Sequence, residues 1–114
     1  MKPLIRESWH FSQPKDTVKY GRVVYGQIEI ALRDAFAKYA DVRASKGESS
    51  ATVRVISIER VGGPSFSGRV ILTVKDEKVI DGNLFISYEP AIRDKDRRMV
   101  EGLLNKLNFV KNKG

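Results

Sequence analysis

Apolar and polar residues alternate near the start of the chain, and this alternation predicts a β-strand over Leu4–Phe11. The larger apolar side chains of this strand share one face, which Glu7 interrupts. A charged residue in an apolar face indicates either an edge strand or a slipped register. Pro14 ends the run, because proline cannot donate a hydrogen bond to a strand ladder.

The following apolar residues recur at steps of three and four, which predicts a helix from Val18 to about Tyr39. Asp16 or Thr17 is the expected N-cap. The apolar face consists of Tyr20, Val24, Ile28, Ala31, Leu32, Ala35, Phe36 and Tyr39. Two glycines in the first turns each disfavour helix by about 1 kcal/mol relative to alanine, so those turns are expected to be frayed or closely packed.

Three further strands are predicted in the middle of the chain, at Ala51–Val61, Phe66–Val74 and Val79–Tyr88. A polar loop at Arg43–Ser50 precedes them, and the sequence Gly-Gly-Pro-Ser separates the first two. Strands that follow one another through short connections are typical of an antiparallel meander.

The strand predicted at Ala51–Val61 changes the parity of its apolar residues partway along. Val53 and Val55 share one face, whereas Ile56 and Ile58 share the other. This switch is typical of a β-bulge. It is equally typical of a strand that is partly buried on both faces, and the pattern alone does not separate the two.

The turn between the last two strands is predicted at Asp76-Glu77. A turn at Asp81-Gly82 is the alternative, since this pair favours a type I′ turn. The first position is preferred because it keeps consecutive charged residues out of a strand. With this turn, the inward residues of the last strand are Ile80, Leu84, Ile86 and Tyr88.

A second helical stripe predicts a helix from Ala91 to Leu107, after Pro90 and before a polar, basic tail at residues 108–114. The predicted fold is therefore a single α+β domain spanning residues 1–114. It is a two-layer sandwich of order β-α-β-β-β-α, in which two helices cover one face of an antiparallel sheet of about four strands. The other face is expected to be wetted or to form an interface, and carries Arg54, Arg60, Arg69, Thr73 and Ser87.

Composition excludes several kinds of chemistry. The 114 residues include no cysteine and one histidine, His10. This excludes a disulfide framework, a thiolate nucleophile, an iron–sulfur cluster and a histidine-rich metal centre. No cofactor is expected. The N-terminus has no apolar segment typical of a signal peptide. We therefore expect a cytoplasmic protein, or an envelope protein if a signal peptide has been removed.

Charge provides the clearest indication of function. Lys and Arg number 21 against 14 Asp and Glu, for a net charge of +7. Residues 41–90 are neutral, whereas residues 91–114 hold seven basic and three acidic residues. A basic helix face with a basic tail is typical of phosphate-backbone binding, although a solvated helix face is the ordinary alternative. The predicted nucleic-acid-binding residues are Arg93, Arg97, Arg98, Lys106, Lys111, Lys113, Lys19 and Arg22.

Other candidate sites are weaker. Aromatic side chains beside His10 (Trp9 and Phe11) suit either base stacking or core packing, and packing is the more frequent outcome. The loop Val61–Gly68 lacks the lysine and helix of a phosphate-binding loop, and Phe66 is expected to pack inward. No spacing supports a catalytic triad around His10, so no enzymatic activity is expected.

Two resemblances extend this interpretation. The order helix, three strands, helix resembles double-stranded-RNA-binding domains, with a basic start to the last helix that reads RDKDRR rather than carrying the paired lysines of that family. The whole order, with its leading strand, resembles lipopolysaccharide-assembly lipoproteins, although the lipidated cysteine is missing. We therefore expect a small non-enzymatic module that binds RNA, DNA or an acidic protein surface. The alternative is an assembly module that pairs with itself through the open sheet face or an edge strand.

Overall fold

Two helices and six strands form the fold in a computed structural model, which describes residues 3–12, 22–45, 52–60 and 65–113. The helices are α1 (Tyr25–Phe36) and α2 (Asp94–Lys106). The strands are β1 (Ile5–Phe11), β2 (Asp41–Ser45), β3 (Val53–Glu59), β4 (Phe66–Lys75), β5 (Lys78–Tyr88) and β6 (Phe109–Lys111).

The six strands form one antiparallel sheet of order β2-β3-β4-β5-β1-β6. Leu32 and Phe36 of α1, together with Val100 and Leu104 of α2, share one hydrophobic core with one face of the sheet. The α+β class is therefore confirmed, with the helices on one side. The prediction of about four strands was too low by two.

The two unpredicted strands lie at opposite edges of the sheet. β2 occupies part of the segment expected to be a polar loop, and Val42 faces the core from it. Residues 46–50, the rest of that expected loop, lie outside the described residues. β6 begins the segment expected to be a tail, where Phe109 is only 1% exposed. Both strands are short, so their alternation gives a weak signal in the sequence.

The first helix begins seven residues later than predicted. Val23 and Val24 are extended and lie beside the start of β5, where the Val23 carbonyl accepts a hydrogen bond from the Val79 amide at 2.8 Å. Val24 is the N-cap, and the Gln27 side chain accepts a hydrogen bond from its amide at 3.2 Å. The predicted caps, Asp16 and Thr17, lie outside the described residues. The second helix also begins late, at Asp94 rather than Ala91.

The predicted turn at Asp76-Glu77 is confirmed. Both residues have positive φ angles, 53° and 63°, as a tight two-residue hairpin requires. The register of this hairpin shifts after Thr73, where β5 carries one extra residue. That residue is Ile80, which is 42% exposed, so the prediction that it faces inward was wrong.

The bulge therefore lies in the hairpin rather than in β3, whose register with β4 is regular from Val53 to Glu59. Val55 is buried on the face away from the helices, while Ile56 and Ile58 are buried beneath them. Burial on both faces explains the parity switch, and the bulge interpretation of this strand was wrong.

The first strand is neither an edge strand nor slipped. β1 lies between β5 and β6 and pairs with β5 in continuous register from Ile5 to His10. The prediction from Glu7 was therefore wrong, because ionic partners on α2 and β6 accommodate this carboxylate within the core face.

Candidate nucleic-acid interface

Two of the predicted nucleic-acid-binding residues, Arg97 and Lys111, bind a buried carboxylate inside the fold. Arg97 donates two hydrogen bonds to Glu7 Oε2, at 2.8 and 3.1 Å. Lys111 Nζ lies 3.0 Å from the same oxygen. Both cations also approach Glu101, each at 3.5 Å. These two basic residues therefore help to hold β1, α2 and β6 together.

The other carboxylate oxygen of Glu7 is occupied as well. It accepts hydrogen bonds from the Tyr88 hydroxyl at 3.0 Å and from Trp9 Nε1 at 3.3 Å. Burial by itself would raise the pKa of Glu7, but the hydrogen bonds from Arg97, Lys111 and Tyr88 outweigh that effect and lower it. Burial and the charge of Glu7 raise the pKa of Tyr88. Glu7 is thus held ionised, and the tyrosine is held as a neutral donor.

The outward side of α2 carries a second set of basic residues, which we call the α2 basic stripe: Lys95, Arg98 and Lys106, with Gly102 between the last two. The steps of three, four and four residues place all four positions on one helical face. All four are exposed. Within the described part of the chain, none of the three cations forms an ion pair with an acidic residue.

Gly102 leaves an open space in the middle of this stripe. A Cβ atom added to it would meet nothing within 4 Å, so packing does not require a glycine here. Glycine in a helix interior costs about 1 kcal/mol relative to alanine. A partner that contacts the stripe can therefore approach the helix backbone closely at this point.

The remaining predicted nucleic-acid-binding residues do not lie together in the fold. Arg93 pairs with Asp96 at 3.2 Å. Lys113 follows β6 and Arg22 precedes α1, and both are exposed. Lys19 lies outside the described residues.

The first helix adds no net positive charge to the surface. Arg33 pairs with Glu29 at 2.9 Å, and Asp34 and Lys38 cancel each other in charge. Among the described residues, the basic character of the helical layer therefore belongs to α2. Arg22, predicted to bind from the first helix, precedes that helix, because α1 begins at Tyr25.

The aromatic residues beside His10 serve packing. Trp9 is 1% exposed, and the ring of Phe11 lies 5.5 Å from that of Phe109. The exposed His10 faces an amide, with its Nδ1 2.6 Å from Asn112 Oδ1. Phe66 is 2% exposed and packs between the rings of Phe36 and Tyr88, so it faces inward as expected.

The described residues contain no cluster of three or more His, Asp or Glu side chains that could hold a metal ion. Neither described helix combines the length and the apolar character needed to cross a membrane.

Comparison with models of protein families and with curated proteins finds no match to this chain.

Proposed function

We propose that this protein binds nucleic acid through the phosphate backbone, with the α2 basic stripe as the principal contact. The observation that carries the proposal is the presence of three exposed cations on one helical face with no acidic partner among the described residues. Arg97 and Lys111 have a different role in it, because their contacts with Glu7 stabilise the fold beneath the stripe.

The length of the stripe suits a row of phosphates. Lys95 and Lys106 are eleven residues apart, which corresponds to about 16 Å along a helix that rises 1.5 Å per residue. One strand of a duplex advances about 3.4 Å per nucleotide along the duplex axis, so a stripe aligned with that axis spans roughly five nucleotides. Gly102 lets the backbone of the ligand come close at the centre.

Such contacts are electrostatic and independent of base sequence. Each neutralised phosphate releases counterions, and the logarithm of the affinity falls by about 0.9 per contact for each tenfold rise in salt. Three contacts predict a slope of about −2.7 on duplex DNA, and Lys113 would make it steeper if it also contacts a phosphate. We therefore expect binding that is readily detected at low salt and lost at high salt.

A charge-reversal pair tests the proposal. Fluorescence anisotropy with labelled duplex RNA, duplex DNA and single strands is measured at about 50 and about 200 mM salt. The variant R98E/K106E changes the stripe, and K75E/K78E makes the same change in net charge at the β4–β5 hairpin, where both lysines are exposed. We expect the first to weaken binding tenfold or more and to reduce the salt slope by about two, and the second to have a much smaller effect.

Two results would refute the proposal. One is the absence of binding to all three nucleic acids at the lower salt concentration. The other is an equal loss in both variants, since that would show a response to net charge rather than to the α2 basic stripe.

A further inference from the structure

The sheet face opposite the helices, which we call the open face, is large enough for a stable interface. β4 alone contributes five side-chain positions to it: Ser67, Arg69, Ile71, Thr73 and Lys75. Six strands about 4.8 Å apart, with four rows of side chains on the central strands, have an outline of roughly 29 by 25 Å, or at most about 700 Å². The edge strands β2 and β6, with five and three residues, fill only part of this outline. A standard protein–protein interface buries about 800 Å² on each partner.

An accessible aromatic side chain lies at the centre of the open face. Phe85 of β5 is 51% exposed in the middle of the sheet. Its neighbours along the sheet and on its own strand include small polar side chains, such as Ser8 across on β1 and Ser87 two residues along β5. The aromatic ring therefore projects beyond these shorter side chains, where a partner with a flat surface would bury it.

The charge of the open face is balanced away from the β4–β5 hairpin, unlike that of the α2 basic stripe. Three acidic residues oppose three arginines there: Asp41, Glu59 and Asp81 against Arg6, Arg43 and Arg69. Lys75 and Lys78 lie at the hairpin end of the same face. The neutral part of the face gives a polyanion no net attraction. It suits a protein partner, provided that the positions of the charges match.

Glu59 and Arg6 match the same two positions on a second copy of the face. Glu59 pairs with Ser67, Ser67 with Ser87, and Ser87 with Arg6, so Glu59 and Arg6 belong to one row across the sheet. Glu59 lies one strand beyond β4 and Arg6 one strand beyond β5. A two-fold axis parallel to the strands, between β4 and β5, exchanges these two positions. It places Glu59 of each copy opposite Arg6 of the other.

The same axis passes beside the aromatic ring. Phe85 and Arg69 are cross-strand neighbours on β5 and β4, on either side of the axis. Phe85 of one copy would therefore be covered by the row of the other copy that carries Arg69. Sheets packed face to face cross at about 30°, so the axis is only approximately parallel to the strands. Phe85 and Arg69 lie next to the axis and keep their pairing despite this crossing.

We propose that two copies of this chain associate face to face through their open faces, with Phe85 near the two-fold axis and Glu59 of each copy paired with Arg6 of the other. Both charged residues are exposed and have no ion-pair partner among the described residues. The arrangement is isologous and closes at the dimer. It leaves the α2 basic stripe of each copy on the outside.

Sedimentation equilibrium with a charge swap tests this dimer. We expect the wild type to reach twice the monomer mass, and R6E and E59R each to weaken the dimer tenfold or more, because each places like charges opposite one another. The double variant R6E/E59R restores the pair with reversed polarity, so we expect a dissociation constant within about threefold of the wild type. K106E, on α2 at the other side of the sheet, is the control for a change of charge.

Phe85→Asp provides a second, independent variant. Because the side chain is half exposed, we expect it to leave the circular dichroism spectrum unchanged and to make the protein monomeric. Three results would overturn the proposal. The wild type could stay monomeric at about 1 mM, Phe85→Asp could leave the dimer unaffected, or R6E/E59R could dimerise no more tightly than the single variants. A monomeric wild type whose binding to a single-stranded oligonucleotide requires Phe85 would also overturn it. R98E/K106E should leave the dimer intact, which separates this test from that of nucleic-acid binding.

Discussion

The substitution Glu7→Gln should reveal how much the buried carboxylate stabilises the fold. The amide keeps the size of the side chain and one acceptor but removes the charge that Arg97 and Lys111 bind. Removing one partner of a buried ion pair costs about 3–5 kcal/mol. Arg97 and Lys111 are 28% and 42% exposed, so both can regain hydration and part of that loss is recovered. We expect a loss of about 2–3 kcal/mol in the free energy of unfolding at pH 7.

The pH dependence of this loss distinguishes the charge from the shape of the side chain. The pKa of Glu7 is lowered in the folded protein, so its ionisation stabilises the fold fully above the ordinary carboxyl pKa of about 4.3. That stabilisation disappears as the pH falls through the folded pKa. The difference between wild type and Glu7→Gln should therefore shrink in acid.

Urea unfolding followed by the fluorescence of Trp9, the single tryptophan, measures both effects. Glu29→Gln makes the same chemical change in the surface pair with Arg33 and should cost no more than about 0.5 kcal/mol. A loss below about 1 kcal/mol for Glu7→Gln at pH 7, or a loss of equal size at pH 7 and at pH 3, would refute this account of the cluster.

Two glycines and one aromatic residue give further predictions for the same urea assay. Gly82→Ala should destabilise by about 1–3 kcal/mol, because its Cβ would lie 2.8 Å from Phe11 Cβ and 2.9 Å from a methyl carbon of Leu72, and an unchanged stability would contradict this. Gly102→Ala should stabilise by about 0.5–1 kcal/mol, since the new methyl group meets nothing, and a loss of stability would show an unrecognised constraint. Phe109→Ala should cost about 3–5 kcal/mol, whereas a loss below about 1 kcal/mol would mean that β6 is dispensable.

Periodicity predicted the elements whose patterns are long. The alternation in β4 and β5 and the separation of charged residues into the Asp76-Glu77 turn were sufficient to place that hairpin. The start of α1 was not predictable in this way, because Val24 falls on the helical face as well as in a bridge to Lys78. An apolar residue that fits both the helical and the strand periodicity can be assigned to one of them only when its neighbouring strand is known.

Which basic residues are exposed at the candidate site depends even more on tertiary contacts. Arg97 and Arg98 are adjacent in the sequence, yet Arg97 binds a carboxylate 90 residues away and Arg98 is exposed. No local pattern separates them, since the difference arises from Glu7 on β1. The steps between Lys95, Arg98 and Lys106 were available in the sequence and would have identified the outward face of α2.

The position of β1 between β5 and β6 constrains the order of folding. His10 pairs with both Asn83 and Val110, so the strand made first joins partners made 73 and 100 residues later. During synthesis, β2 to β5 can form their hairpins one after another, whereas β1 cannot be paired along both edges until residues near Lys111 have left the ribosome. Closing loops of this length is slow compared with forming local hairpins. We therefore expect the meander to form early and the docking of β1 with β6 to limit the folding rate.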